Sequence, residues 1–229
     1  MSVKQKIYLD ETPSTRGDLT RENLVKTAMR IFARDGFDAA STRTIADEAG
    51  VNQALISYHF RNKRGLYLAV FEYIVKDMNS KLGAPMASLQ ALIQDKNAPE
   101  ELIKDVLFAF CDNAIDLLVK EEMTDIAKLI LREQQTPTEA FDIIYDGFMV
   151  LVISLINNLI GRLRPDFEGE DLKIKTIIMF SQVVAIRAGR SAIMRFLNWD
   201  NIGPNEAQKL KNQLRENFKL YVEYGGRNA

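Results

Sequence analysis

The chain has 229 residues, with 30 Lys+Arg against 31 Asp+Glu and a formal net charge of −1. A hydrophobic content of 47% with 27% charged residues excludes disorder over most of the length, and at roughly 100–200 residues per domain the chain is one large domain or a small one joined to a medium one. A single cysteine, Cys111, excludes an internal disulfide framework, and a single histidine, His59, leaves no His-rich metal set, so neither metal nor cofactor is expected.

Residues 1–19 hold few large apolar side chains and read as a flexible N-terminal arm. Residues 1–10 lack the apolar core of a secretory signal, which points to a cytoplasmic protein. A first helix is expected over residues 20–35, because Leu24, Val25, Ala28, Ile31 and Phe32 fall on one face; Gly36 then supplies the residue that ends it. Ser41 is suited to cap a short second helix with Ile45, Ala46 and Ala49 inward, and Gly50 breaks it. Asn52 can cap a third over residues 53–59, with Leu55 and Ile56 inward. A fourth helix starts near Lys63 and reaches about Leu82 on the stripe Leu66, Val70, Phe71, Ile74 and Met78. Past Gly83-Ala84-Pro85, long helices are expected near residues 99–121, 125–135, 137–163, 171–197 and 204–224. Pro99, Pro137 and Pro204 sit where a first helical turn tolerates proline. The uncharged run 147–161 is too short for a membrane span of roughly 20 residues and reads as a buried core helix.

Charge is unevenly spread. Residues 1–65 carry 11 basic and 8 acidic side chains, a net of +3, and the remainder carries 19 and 23, a net of −4. A basic head on an acidic body suits a protein that presents one end to a polyanion. The two short helices around Gly50 form a helix-turn-helix by pattern, in which the first buttresses the second and the second enters the DNA major groove. With Leu55 and Ile56 turned inward, the third helix presents Asn52, Gln53, Ala54, Ser57, Tyr58 and His59, with no carboxylate among them. That composition suits a surface approaching phosphates.

Several residues carry a resemblance. Ala33-Arg34-Asp35-Gly36-Phe37, Thr44-Ile45-Ala46, Ala49-Gly50-Val51, Ile56-Ser57-Tyr58-His59-Phe60 and Asn62-Lys63-Arg64-Gly65-Leu66 are spaced over almost fifty residues. Together they resemble the N-terminal DNA-binding domain of TetR-family transcriptional regulators. The resemblance implies a homodimer on a palindromic operator, with Arg43 and Gln53 at base-reading positions and Thr42, Tyr58, His59 and Lys63 at phosphate-holding ones. Arg43 could pair with guanine and Gln53 with adenine. The family often has other residues where Leu55 and Ser57 stand, which leaves the base preference open. His59 also fits a core or capping role, Tyr58 could pack on the first helix, and Arg43 could be an ordinary solvated charge.

The rest of the chain, through Leu131-Arg132-Glu133-Gln134-Gln135-Thr136-Pro137-Thr138, Ala185-Ile186-Arg187-Ala188-Gly189-Arg190 and Trp199, resembles the C-terminal domain of the CerR-like (CecR) branch. Sensor domains of the family are helical, bind small molecules between helices and pair through their last two long helices. The expected architecture is all-α: residues 1–19 an arm, 20–66 the DNA-binding domain, 67–229 a ligand-binding and dimerisation domain. Helical stripes, Ile178, Val183, Ile186, Ile193 and Leu197 on one helix and Leu210, Leu214, Phe218 and Val222 on the last, are assigned to the dimer interface, with core packing as the alternative. Polar groups embedded in apolar helices mark a candidate pocket: Asn113, Asn157, Gln182 and Arg187, with Phe108, Tyr145 and Phe148 as walls. Arg187 suits an anionic or carbonyl-bearing effector, or equally a pair with Asp112, Asp116 or Glu133. Arg132 and Glu133 read as a structural ion pair. An enzyme is disfavoured by the placement of His59 and Cys111 and by the lack of a glycine-rich phosphate loop. A DNA-binding protein without an effector is the remaining alternative. Repression is the family's commoner mode.

Overall fold

The computed structural model describes residues 15–224, and among them every regular element is helical. The expected all-α class holds, with 84% of the described residues in helices. Contacts divide the chain into two compact units. The first runs to Asp77 and takes in Lys128–Ile144; the second comprises Met78–Ala127 and the chain from Tyr145 onward.

In the first unit, α1 (Arg16–Ala39) begins earlier than its apolar stripe implies. Thr15 and Asp18 form a reciprocal capping box that satisfies two N-terminal donors, so the last residues assigned to the arm are helical; residues 1–14 lie outside the described residues. The expected stripe is buried at Leu24, Val25, Ala28, Ile31 and Phe32. Gly36 interrupts the helix at φ 87° and ψ 169°, a conformation almost confined to glycine. Ser41 caps α2 (Thr42–Ala49), and Gly50 closes it in the left-handed conformation. Asn23 of α1 donates to the Ala49 carbonyl, tying that terminus to the scaffold. Asn52 caps α3 (Ala54–Phe60) through the Ala54 N–H. Asn62 caps the next helix by accepting from the Gly65 N–H.

That helix, α4, runs Lys63–Gln94 and does not stop at the expected Leu82. Pro85 removes one backbone donor, yet the buried stripe Met78, Leu82, Met86, Leu89 and Leu92 continues through it. Burying such side chains yields roughly 1.5–3 kcal/mol each, which offsets a local proline cost of about 3 kcal/mol. The 66/67 boundary expected from sequence therefore falls inside a continuous helix.

The second unit also holds α5 (Glu100–Leu118), in contact with α8 (Val150–Leu163), α9 (Gly169–Ala188) and α11 (Pro204–Tyr224). In chain order α6 (Met123–Gln135) and α7 (Glu139–Ile144) follow α5, and from Lys128 onward they belong to the first unit. The single helix expected over 137–163 is broken by a π turn at Tyr145–Met149. Asn79 donates to the Gly147 carbonyl within it at 3.1 Å. By length and composition Glu139–Leu163 could cross a membrane, but Val152, Leu155, Ile156, Leu159, Ile160 and Leu163 are buried in this core. The helix expected over 171–197 also breaks: Gly189 separates α9 from α10 (Arg190–Leu197) with a 72° bend.

Candidate nucleic-acid interface and helical sensor unit

The recognition surface is built by α2 and α3. Ile56 and Phe60 anchor α3 in the core and Leu55 is half-buried, which leaves the opposite face to solvent. Ala54, Ser57 and Tyr58 are exposed, Tyr58 at 80%, so the tyrosine does not pack on α1. His59 is half-buried and meets the Tyr58 ring edge-on at 4.9 Å. No carboxylate interrupts this face.

At the mouth of the turn, Gln53 Nε2 donates to Thr42 Oγ1 at 2.9 Å. This bond ties the starts of α2 and α3 together with one of the two Nε2 hydrogens, and leaves the other and Oε1 for a bidentate pair with adenine. Asn52 spends its side-chain oxygen on the cap. Arg43 is freer: its side chain is 83% exposed and lies 3.9 Å from Asp47, a contact too long and too solvated to hold it.

Lys63, expected to hold a phosphate, is engaged within the chain. Its ammonium donates to the carbonyls of Asp38 at 3.2 Å and Ala40 at 2.9 Å, and sits 4.5 Å over the Phe37 ring. Two of its three donors therefore close the carbonyl end of α1. Sequence reasoning missed this because the partners are backbone groups, which leave no trace in residue identity.

Residues 128–144 hold the first unit together from an unexpected direction. Glu133, 3% exposed, accepts from the Tyr67 hydroxyl at 2.7 Å and from the Thr138 N–H and hydroxyl at 2.9 Å. Burial first, then the Glu133 hydrogen bond, pushes the Tyr67 phenol well above its ordinary value. Arg132 donates to the Phe32 carbonyl, and Arg64 pairs with Glu139. Arg132 and Glu133 are thus not an ion pair with each other.

In the second unit the candidate pocket residues have separate partners. Asn113 is exposed and donates to its own helix at Ala109 O, so it faces solvent and not a cavity. Phe108 is buried edge-on to Phe218 at 5.1 Å. Phe148 is buried and Tyr145 is 40% exposed, both on the π turn. Asn157 accepts from the buried Thr176 hydroxyl at 3.1 Å, and Gln182 from Asn217 at 3.4 Å. Arg187 donates to Thr124 Oγ1 at 2.6 Å.

The expected interface set divides. Ile186 and Val222 are buried within the chain at 5% and 6%, which assigns them to the core, and Phe218 is engaged with Phe108. Ile193, Leu210 and Leu214 are half-buried, while Leu197 is exposed. Exposed apolar side chains on these last helices are Ile174, Ile177 and Ile178 on α9, Phe196 and Leu197 on α10, and Leu220 on α11. The i, i+3, i+4 spacing of Ile174, Ile177 and Ile178 was the available signal for this face.

Cys111 is half-buried, and its thiol is pushed up to about 12 by burial and then by the Asp112 charge, against a smaller opposing effect of Arg215. At pH 8 the native protein should hold on the order of a thousandfold less thiolate than the unfolded chain. Iodoacetamide should accordingly label it slowly until urea is added; equal rates in both states would contradict this placement.

Residues 24–70 match the family model for bacterial regulatory proteins of the tetR family. Residues 103–223 match that for the C-terminal domain of the HTH-type transcriptional dual regulator CecR. The chain is 27% identical over 189 residues to CecR of Shigella flexneri, covering 80% of this chain and 82% of that protein. It is 26% identical over 175 residues to the probable HTH-type transcriptional regulator YttP of Bacillus subtilis, covering 67% and 82%. Among solved structures, AibR in complex with isovaleryl coenzyme A and operator DNA superposes with a TM-score of 0.60 at 14% identity, over 86% of this chain and 96% of that one. FadR from Bacillus subtilis in complex with stearoyl-CoA gives 0.59 at 16% identity, over 89% and 98%. At these identities the two structures speak for the fold.

Proposed function

The chain belongs to the TetR family of bacterial regulatory proteins, a transcriptional regulator with a DNA-binding domain and a CecR-type C-terminal domain, and from that membership we propose how it works. It is a cytoplasmic homodimeric repressor that binds a palindromic operator and is released by a small molecule held in its helical unit. The observation that supports this reading best is the face of α3, which presents Ala54, Ser57 and the 80% exposed Tyr58 without a carboxylate, beside an unrestrained Arg43.

Arg43 is the reader and Tyr58 a phosphate contact. Gln53, steadied by Thr42, reads adenine with its second Nε2 hydrogen and Oε1. The exposed large apolar side chains of α9, α10 and α11 support dimerisation, because a dimer interface would remove them from water. Two recognition helices on a symmetric dimer then meet half-sites one helical turn apart, about 34–36 Å. Effector binding favours a dimer whose recognition helices no longer match that spacing.

Selection of bound duplexes from a random pool, followed by sequencing, tests the reading. A palindrome with one-turn half-site spacing is expected, and enrichment of single half-sites or of nothing would overturn it. In the same assay Arg43→Ala should reduce discrimination at one base pair per half-site by roughly 5–150-fold, the equivalent of 1–3 kcal/mol for a bidentate guanine contact. A variant that keeps full discrimination would remove Arg43 from the reading role.

A further inference from the structure

Arg187, near the end of α9, and Arg190, at the start of α10, lie on either side of the bend at Gly189. Both reach the chain that leads into α6: Arg187 Nη2 to Thr124 Oγ1 at 2.6 Å and Arg190 Nη2 to Glu121 Oε1 at 2.9 Å. Each also has a buried nitrogen without a partner, Nη1 of Arg187 and Nε of Arg190. A buried polar group without a partner is costly, and a charged one more so. Here there are two, on neighbouring like charges.

The carboxylates that could have neutralised Arg187 are engaged elsewhere. Asp112 pairs with Arg215, Asp116 with Lys211, and Glu133 with Tyr67 and Thr138. Burial and the Arg190 charge push the Arg187 guanidinium down, with Glu121 and Asp125 opposing. Glu121 itself is 81% exposed and pairs with Arg190. What is missing is therefore an acceptor for each of the two buried nitrogens and a negative charge in contact with Arg187. A neutral carbonyl or a water molecule can accept but brings no charge; a carboxylate or phosphate brings both acceptors and charge, with oxygens enough to accept from two guanidinium groups at once.

We propose that Arg187 Nη1 and Arg190 Nε form the head-group site for an acidic effector, binding its carboxylate or phosphate oxyanion. This rests on the effector reading above and assigns the chemical class that the effector carries. Arg187 and Arg190 then anchor the acid while the apolar surroundings of the helical unit take its remainder.

The test uses the full chain, with inorganic phosphate, octanoate and 1-octanol as probes at constant ionic strength set by chloride. Phosphate or octanoate should raise the melting temperature above the chloride control by about 3 °C at tenfold excess over Kd. Arg187→Gln and Arg190→Gln should each abolish that rise. Response to phosphate alone assigns a phosphate head group, and response to octanoate alone a carboxylate. The site is overturned if neither anion exceeds chloride, or if both variants respond as the parent does. Circular dichroism checks folding, and should Arg187→Gln fail to fold, the Arg190→Gln comparison decides. Release of a selected operator separates the two readings: 1-octanol or a low-mass cell-extract fraction that releases parent and variants equally retains an effector but removes the anion site. If no low-mass fraction releases the operator from the parent, the effector reading fails and this site falls with it.

Discussion

Gly65→Ala should destabilise the protein by roughly 3 kcal/mol and weaken operator binding at least about tenfold. Helix propensity predicts the opposite sign, since alanine is favoured over glycine by about 1 kcal/mol in a helix interior. The close approach decides. A Cβ on Gly65 would stand 2.1 Å from the Phe60 carbonyl oxygen and 3.2 Å from its carbon, both backbone atoms. Phe60 cannot yield easily, because its side chain is buried and its carbonyl already accepts from the Asn62 N–H at 2.9 Å. The intervening Arg61 sits at φ 69°, so the turn has little further torsional slack. Relief must come from moving the end of α3, which carries Tyr58 and His59. For a chain of this size the loss corresponds to a melting temperature lower by about 6–12 °C. Gly36→Ala provides a contrast: the added Cβ meets Arg132 Nη1 only at 3.7 Å, so its cost is backbone strain and its effect on α3 is smaller. An alanine variant at Gly65 with parental melting temperature and operator affinity would refute the tight turn.

The same turn shows why the DNA-binding unit could be read from sequence. Leu24, Val25, Ala28, Ile31 and Phe32, then Leu66, Val70, Phe71 and Ile74, are local stripes, and local stripes survive any change in long-range packing. Caps at Ser41, Asn52 and Asn62 are likewise satisfied within three residues of themselves. Legibility fails where a side chain answers to distant backbone. Lys63 looks like a free cation in sequence but closes α1, and Asn113 looks embedded in an apolar helix but lies on its solvent face. Pro85 signals a stop that the buried stripe overrides, whereas Gly189 gives little sign that it ends one helix and begins another at a large angle. Ile186 and Val222 obeyed the right period yet turned into the core, because periodicity identifies an apolar face without naming what covers it.

Glu133→Ala should cost about 3 kcal/mol, and the loss should be felt in the DNA-binding unit despite the residue's position in the C-terminal family match. Removing the carboxylate leaves the Tyr67 hydroxyl without its acceptor in a site where Tyr67 is 7% exposed, and frees the Thr138 N–H that shapes the turn into α7. Tyr67 also packs edge-on against Phe32 and Phe37, each at 5.0 Å, so a shift of its ring disturbs the packing of α1. Tyr67→Phe deletes one of three bonds to the carboxylate and keeps the ring contacts, for a cost of about 1–2 kcal/mol. Glu133→Gln retains one acceptor and gains donors that the Tyr67 and Thr138 hydroxyls can accept, which restores part of the loss. A double-mutant cycle between Tyr67→Phe and Glu133→Ala should show coupling of about 1–2 kcal/mol, because the two changes remove the same bond. Hydrogen exchange is the readout that localises it: amides of α1 and the first turns of α4 should lose protection in Glu133→Ala while those of α9 and α11 keep theirs. Uniform loss across both units, or none in α1, would show that residues 128–144 do not brace the DNA-binding helices through this carboxylate.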